Sequence, residues 1–328
     1  MGNFKKTLSV LLRVSISIIL LVLLFKLNRI DIRALANDIR SVNKLFLGAG
    51  FAVFFLGYLF GFLRWRMLLL GAGIRISLKK LISSFSGGIF FSIFLPSTIG
   101  GDVVRSADMA EHTRKAKEVI ATVFLDRLSG YIGLVFVVLP AILLGRDLVR
   151  DKVVFSSVAI IVLLLVFILL VLFNSFIYSR ITRFLATPGA ERIKETIKDM
   201  HREIHVFRHR RKIIIYNLLL SFLIQIITPA SIYFIALSLG VKINFIYFLI
   251  FLPIIGAITL LPIAIGGLGL RESLFVVYFA KAGVVKQLAL AMSLLSFSFI
   301  VIYGAIGGLV YVLTVYHRRI QRNQPSAV

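Results

Sequence analysis

The 328-residue chain has no cysteine, only 14 acidic residues and a single tryptophan. Without cysteine it can form no disulfide, thiolate metal site or dithiol redox motif. Charged residues make up 16% of the sequence and hydrophobic residues 59%, against about 25% and about 45–50% in ordinary soluble domains. The polar surface is too small to cover a globule in water, which excludes a soluble enzyme.

The scarcity of acidic residues leaves 38 lysines and arginines to give a formal charge of +24. In a soluble protein this excess would indicate nucleic acid, but in so apolar a chain it indicates anionic lipid and membrane orientation. We therefore expect no nucleic-acid partner and a location in the cell (plasma or inner) membrane.

Long apolar runs predict the membrane helices, because a helix needs about 20 mostly apolar residues to cross the hydrocarbon core. Six runs qualify: Leu8–Leu27, Leu45–Leu63, Val119–Leu144, Val153–Ile177, Ile213–Leu239 and Leu288–Val315. Two more, Leu81–Ile99 and Phe245–Ile265, are interrupted by Gly and Pro and fit either full spans or re-entrant elements. The first run is too long for a signal-peptide core, and we predict that it stays uncleaved.

Basic residues predict the orientation. Tyr178–Lys212 carries 10 basic and 4 acidic residues, and Phe62–Lys80 carries 5 basic and no acidic residue, so both should be cytoplasmic. An even number of crossings must then separate them, which favours a re-entrant Leu81–Ile99 that enters from the cytoplasm. The same reasoning predicts that residues 245–280 enter from the outer side and that both termini are cytoplasmic.

A duplicated motif, L-P-x-x-I-G-G-x-x-x-R, occurs at residues 95–105 and again at residues 261–271. Its turn-forming residues are Pro96, Gly100, Gly101, Pro262, Gly266 and Gly267. The two copies predict a single membrane domain, 1–328, made of two inverted-topology repeats. The first repeat is 1–145, with a re-entrant motif at 81–118. The second is 146–328, with a cytoplasmic basic helix at 178–212 and a re-entrant motif at 245–280.

Each motif has the chemistry of an anion receptor. A helix that begins after Gly-Gly presents unpaired N–H groups and a partial positive charge, and Arg105 or Arg271 follows about one turn later. We predict a midplane cavity in which these arginines hold an anionic lipid head group. The alternative is a loop near the interface from which both arginines reach lipid head groups. The duplication favours the first interpretation.

Other charged residues lie in apolar surroundings. Charges within a span are functional candidates by default, although an ion pair near the interface is an equal alternative. Further candidates for head-group binding are Arg127, Arg64 and Arg66. Candidates for balancing these charges, or for binding a proton or cation, are Asp102, Asp126 and Glu272. Trp65, between two arginines at a helix end, is typical of an interfacial anchor.

No pattern of catalytic residues stands out. His201, His205 and His209 recur every four residues, but without cysteine or a fitting carboxylate this spacing is typical of a solvated basic face. No nucleotide-binding loop is recognisable. We expect no catalytic residue, no metal and no cofactor.

Four segments together resemble the lysylphosphatidylglycerol synthetase transmembrane-domain family, a flippase-like domain. They are Phe94–Arg105, Val119–Gly130, Arg64-Trp65-Arg66 and Leu261–Glu272. Asp126 stands where many members would have Glu, and the carboxylate is kept. In two-part members this domain is associated with moving aminoacylated phospholipid between leaflets, and a soluble domain attaches the amino acid. With 13 residues after Val315, we expect no such transferase domain here.

The prediction is thus an all-α polytopic protein with about six full transmembrane helices and two re-entrant elements. The resemblance implies a lipid translocator that moves an anionic or modified lipid, with phospholipid or a lipid-linked substrate as partner and an envelope lipid-modifying enzyme as a second candidate partner. Two alternatives stay open: a non-transporting partner or regulator of an envelope glycosyl- or aminoacyl-transferase, and an intramembrane enzyme.

Overall fold

A computed structural model describes residues 2–95, 98–146, 151–173, 210–259, 264 and 267–323. These residues form eleven α-helices and no strand. The helices are α1 (Gly2–Asn28), α2 (Ile32–Arg40), α3 (Lys44–Gly71), α4 (Leu78–Phe94), α5 (Thr98–Thr113), α6 (Ala116–Leu144), α7 (Lys152–Phe173), α8 (Arg211–Ser238), α9 (Phe245–Thr259), α10 (Leu270–Lys281) and α11 (Lys286–Asn323). The all-α prediction is confirmed.

Four of the six predicted spans are long, apolar helices: α3, α6, α8 and the Lys286–Thr314 part of α11. Each has 28 or 29 residues, or about 42 Å at 1.5 Å per residue, which exceeds the roughly 30 Å of the hydrocarbon core. The other two predicted runs form α1 and α7, helices of 27 and 22 residues. Shorter apolar stretches lie in α1, α7 and α9.

Polar residues between the apolar runs determine where several helices begin. Asp31 accepts a hydrogen bond from the Arg33 N–H (2.8 Å), and Asn43 accepts one from the Leu45 N–H (3.0 Å). Asp151 and Asn244 cap α7 and α9 in the same way. These side chains satisfy backbone N–H groups that the first helical turn leaves unpaired.

The described residues cluster into two compact units. Unit 1 contains Met1–Leu59, Ile76–Met109 and Ile227–Val328, and unit 2 contains Phe60–Arg75 and Ala110–Ile226. Helices α3, α5 and α8 contribute residues to both units. The units divide the chain differently from the predicted repeats, which met at residue 145, and both Gly/Pro-interrupted stretches belong to unit 1.

In unit 1, α11 packs against α2, α4 and α10. The α4 and α11 helices run antiparallel: Gly87 lies against the ring of Tyr311, and Ile93, six residues later, covers Gly304. The end of α4 therefore lies near the middle of the apolar part of α11. The rings of Phe54 on α3 and Phe299 on α11 pack with their centroids 5.7 Å apart, so α3 also contacts α11.

In unit 2, α6 contacts α3, α7 and α8. It packs against α7, where Leu128 and Leu165 form a buried cluster. It also meets α8 so closely that a Cβ on Gly133 would lie 2.9 Å from the Ser221 carbonyl carbon. Glycine at this position allows the two backbones to approach.

Candidate functional site

The first motif lies at the bend of a helical hairpin formed by α4 and α5, residues 78–113, which we call hairpin 1. A Cβ on Gly101 would lie only 2.2 Å from the Gly88 carbonyl oxygen, so the two helices touch backbone to backbone. About one turn further from the bend, the Ser84 hydroxyl donates to the Arg105 carbonyl oxygen at 3.0 Å. These contacts show that α5 folds back antiparallel along α4. Gly100, at the bend, packs against Leu95.

Arg105 faces the inside of hairpin 1. Its Nη2 lies 2.8 Å from Oδ1 of Asp102, three residues earlier on the same helix, and its guanidinium lies over the Phe85 ring at 5.8 Å. The residue is 6% exposed. Asp102 and Arg105 therefore form an ion pair along one helix, and the carboxylate balances the arginine charge where it is buried.

The second motif lies at the bend of another hairpin, formed by α9 and α10, residues 245–281, which we call hairpin 2. The rings of Phe248 and Phe279 have centroids 5.0 Å apart, and those of Phe251 and Tyr278 are 5.5 Å apart. Since residues early in α9 meet residues late in α10, the two helices run antiparallel. With 15 residues, about 22 Å, α9 is shorter than the hydrocarbon core is thick.

Gly269 shapes the start of α10. Its φ of +81° is strained for other residues, and a Cβ would lie 2.8 Å from the Ser17 carbonyl oxygen of α1. The Gly269 N–H donates to Oε2 of Glu272 at 2.6 Å. The carboxylate of Glu272 thus caps the helix on which it lies. Gly267, just before, also has a positive φ, +75°.

Arg271 lies beside Glu272 in a polar cluster between α10 and α11. Its Nη2 is 2.5 Å from Oε1 of Glu272, and Ser293 of α11 donates to the same oxygen at 3.3 Å. The guanidinium stacks over the Phe297 ring at 4.5 Å. Glu272 is fully buried, with 0% exposure, and its carboxylate balances the charge of Arg271.

The two hairpins reach α11 from opposite ends, and their arginines do not meet. Arg105 packs beside the Gly87-Gly88 pair of α4, whose Gly87 contacts Tyr311, whereas Arg271 contacts Phe297. At 1.5 Å per residue, the two arginine sites are about 20 Å apart along α11. This distance is several times the width of a phosphate group, so the structure forms two separate arginine–carboxylate sites.

A third charged cluster lies in unit 2. Nε of Arg64 on α3 donates to Oδ1 of Asp126 on α6 at 2.6 Å, and its Nη1 donates to Oγ of Ser221 on α8 at 3.1 Å. Asp126 is 4% exposed. Its described partner is therefore Arg64, 62 residues earlier, while the adjacent Arg127 is half-buried.

The side chains of the segment Arg64-Trp65-Arg66 differ in exposure, because Trp65 is buried and Arg66 is exposed. Trp65 has 0% exposure, and its indole Nε1 donates to Oγ1 of Thr122 at 3.3 Å. The interpretation of Trp65 as an interfacial anchor is wrong, because its side chain packs between helices and does not reach the surface. Arg66 points outward and is exposed, which leaves it accessible to a head group.

Polar side chains of α8 join neighbouring helices. Asn217 donates to the Arg64 carbonyl oxygen at 3.4 Å, and Gln225 donates to the Gly130 carbonyl oxygen at 2.9 Å. The sequence did not predict the contacts of Ser221 and Ser293. A small hydroxyl in an apolar run was their only signal, and many such residues bond only to their own helix.

Several predicted features lie outside the described residues. They are Pro96, Pro262, Gly266, the three histidines and the predicted basic helix 178–212 up to residue 209. Within the part of the chain that is described, no group of three or more His, Asp and Glu side chains is placed to hold a metal ion.

Long apolar helices whose buried charges are paired define a multi-pass integral membrane protein. A family model described as "Lysylphosphatidylglycerol synthase TM region" matches residues 10–308. The chain therefore belongs to this family.

Two curated relatives are archaeal. A UPF0104 membrane protein of Pyrococcus horikoshii is 26% identical over 253 residues, which cover 71% of this chain and 76% of the relative. A UPF0104 membrane protein of Methanothermobacter thermautotrophicus is 25% identical over 251 residues, covering 70% and 73% respectively. No solved structure matches the chain.

Proposed function

We propose that this protein is a flippase-like translocator that moves an anionic or modified lipid between the leaflets of the cell membrane. One observation supports this most directly. The two copies of the Gly-Gly-x-x-x-Arg motif form hairpins that pack on α11 from opposite ends, each with an arginine beside a carboxylate. This arrangement has the form expected of two re-entrant elements in inverted repeats.

The arginines supply the chemistry that an anionic lipid needs. A guanidinium has five N–H donors in a planar fork that matches a phosphate diester or a carboxylate. At Arg271, Glu272 and Ser293 engage Nε and Nη2, and Nη1 makes no hydrogen bond to a described residue. The guanidinium is held rigidly over Phe297 and retains donors for a ligand.

The paired carboxylates balance the charge of the two buried arginines. An unpaired charge buried in an apolar region is costly, and Asp102 and Glu272 remove that cost when no lipid is bound. A lipid phosphate that approaches an arginine competes with the carboxylate for the same donors. With about 20 Å between the two sites along α11, the head group would be bound at one site and then at the other.

The orientation belongs to the same proposal. With both termini cytoplasmic, α4 starts at the cytoplasmic end of α11 and hairpin 1 opens toward the inner leaflet. Hairpin 2, which starts and ends beside the beginning of α11, opens toward the outer leaflet. Movement would come from rocking of one repeat against the other and would be downhill or coupled to an ion gradient.

The alternative is a non-transporting partner or regulator of an envelope glycosyl- or aminoacyl-transferase. Glu272 favours it, because this carboxylate has no exposure and accepts hydrogen bonds from Gly269, Arg271 and Ser293. A group so fully engaged has the features of a structural residue. Transport measurements separate the two functions.

The test is reconstitution into liposomes that carry labelled phosphatidylglycerol or labelled phosphatidylcholine in one leaflet. We expect wild type to translocate the anionic lipid, and Arg105→Ala or Arg271→Ala to slow it at least tenfold. That factor corresponds to loss of a charge-assisted hydrogen bond of about 1.5–3 kcal/mol.

Arg40→Ala is the matched control, since it removes an exposed arginine of α2 and should leave the rate unchanged. Absence of translocation by folded wild type for both lipids would count against the translocator and favour the partner role. Equal rates for wild type and both arginine variants would exclude the two motif arginines as head-group sites.

A further inference from the structure

Two tyrosines of unit 1 meet in the middle of long apolar helices. Tyr58 lies about halfway along α3, and Tyr303 lies just past the middle of the Lys286–Thr314 part of α11. Their ring centroids are 4.1 Å apart. We call these two residues the tyrosine pair. It places two hydroxyl groups at a depth where most neighbouring residues of both helices are apolar.

The tyrosine pair lies between the two arginine sites along α11. Phe297, over which Arg271 stacks, is six residues before Tyr303. Tyr311, against which Gly87 of hairpin 1 packs, is eight residues after it. At 1.5 Å per residue, these separations are about 9 Å and about 12 Å. The pair thus divides the distance between the arginine sites into two shorter steps.

Neighbouring rings fix the orientation of the tyrosine pair. The ring centroid of Phe54 lies 5.0 Å from that of Tyr58 and 6.5 Å from that of Tyr303. Phe55 adds an edge contact to Tyr303 at 5.9 Å. Both tyrosines are half-buried, and neither hydroxyl forms a hydrogen bond with a residue that the structure describes. A phenol O–H away from water normally has a hydrogen-bond partner, and a lipid phosphate offers acceptors for both.

Neutral donors suit an intermediate site. A phosphate that leaves an arginine loses charge-assisted hydrogen bonds, and an apolar stretch offers nothing in return. A further arginine would hold the anion firmly, whereas passage through several sites requires binding weak enough for release. Phenol hydroxyls donate hydrogen bonds without adding a charge.

We infer that the tyrosine pair is a head-group site in the middle of the span. Tyr58 and Tyr303 donate hydrogen bonds to the phosphate of an anionic lipid as it passes between the arginines of hairpin 1 and hairpin 2. This inference rests on the proposed translocation and extends it to α3, which belongs to neither hairpin. Removing the two hydroxyls should slow the passage while both arginine–carboxylate pairs stay intact.

Tyr58→Phe and Tyr303→Phe remove the hydroxyls and keep the rings. In liposomes with labelled phosphatidylglycerol, we expect the double variant to translocate more slowly than wild type by about tenfold or more, with each single variant in between. Tyr233→Phe is the matched control and should keep the wild-type rate. This half-buried tyrosine of α8 also packs on a phenylalanine, Phe245, at 5.4 Å, but lies near the end of its helix. If wild type translocates and the double variant is equally fast, the inference is wrong and the proposed function stands.

A binding measurement separates the inference from the proposed function. Fluorine NMR of the protein labelled with 3-fluorotyrosine, with signals assigned by the phenylalanine variants, follows titration with phosphatidylglycerol or with diacylglycerol, which lacks the phosphate. We expect only phosphatidylglycerol to shift the signals of Tyr58 and Tyr303, and neither lipid to shift that of Tyr233. If wild type translocates no lipid, the proposed function fails. A shift by phosphatidylglycerol would then still support the tyrosine pair as a head-group site, and its absence would overturn it.

Discussion

Hairpin 1 and hairpin 2 contain the same motif but hold their arginines by different means. In hairpin 1 the carboxylate partner is Asp102, three residues before Arg105 on one helix. In hairpin 2 the partner is Glu272, which also caps α10 and contacts α11 through Ser293. The first pair lies along one helix, and the second pair also links α10 to α11.

The two hairpins also differ in how rigid their backbones are, and here hairpin 1 is the more rigid. Hairpin 1 is closed by the Gly88–Gly101 contact, where neither helix has a side chain to yield. Hairpin 2 is closed by large rings such as Phe248 and Phe279, which can repack. Hairpin 1 therefore combines a rigid backbone with an ion pair along one helix, and hairpin 2 combines an adaptable backbone with an ion pair whose carboxylate also caps α10.

The largest expected effect comes from the two carboxylates. Glu272→Ala should lower the free energy of unfolding by about 3–5 kcal/mol, because it leaves Arg271 as an uncompensated buried charge and removes the cap of α10. Asp102→Ala also leaves a buried arginine, Arg105, without this carboxylate, and should cost about 3 kcal/mol, the lower end of the same range, because no helix cap is lost with it. Unfolding in detergent micelles by denaturant measures both.

Val277→Ala, an exposed change on α10, provides the baseline and should alter stability by less than about 0.5 kcal/mol. Equal losses for Glu272→Ala and Asp102→Ala would show that the two ion pairs are anchored equally, contrary to the comparison.

Replacing a glycine should lower stability more in hairpin 1 than in hairpin 2. Gly101→Ala places a Cβ 2.2 Å from a carbonyl oxygen and should cost about 3 kcal/mol by forcing α4 and α5 apart. Gly267→Ala meets nothing closer than 3.6 Å, so only its φ of +75° opposes the change, at about 1–2 kcal/mol. The same unfolding measurement applies. A larger loss for Gly267→Ala would mean that hairpin 2 has the more rigid backbone.

The smallest effect is expected at the contact of hairpin 2 with α11. Ser293→Ala removes one weak hydrogen bond to Glu272 and one from Arg271, and should cost about 0.5–1 kcal/mol. Ser298→Ala is the matched control, because its hydroxyl donates to the Leu295 carbonyl oxygen of its own helix. If the two variants are indistinguishable, Ser293 does not anchor the ion pair.

Much of the helix arrangement followed from composition and spacing. Runs of apolar residues predicted the long helices, and the Pro and Gly residues of the motif predicted the bends between α4 and α5 and between α9 and α10. The Asp102–Arg105 pair was predictable because residues three apart on a helix are neighbours.

Pairing across helices was not predictable to the same extent. Asp126 has Arg127 beside it in sequence, but neighbours along a helix point in different directions, and the carboxylate meets Arg64 instead. Similarly, Trp65 lies between two arginines, and nothing in that pattern shows which face of α3 turns inward. Such contacts depend on how whole helices rotate against each other.

The central position of α11 has a consequence for biosynthesis. Hairpin 1 ends at Thr113, and the helix that covers it begins only at Lys286. At about 5–20 residues per second, a ribosome needs on the order of ten to thirty seconds to make the intervening chain. During that interval Gly87 and Ile93 lack the surface that later covers them. The nascent protein must shelter hairpin 1 in lipid, in the translocon or against a chaperone until its last long helix arrives.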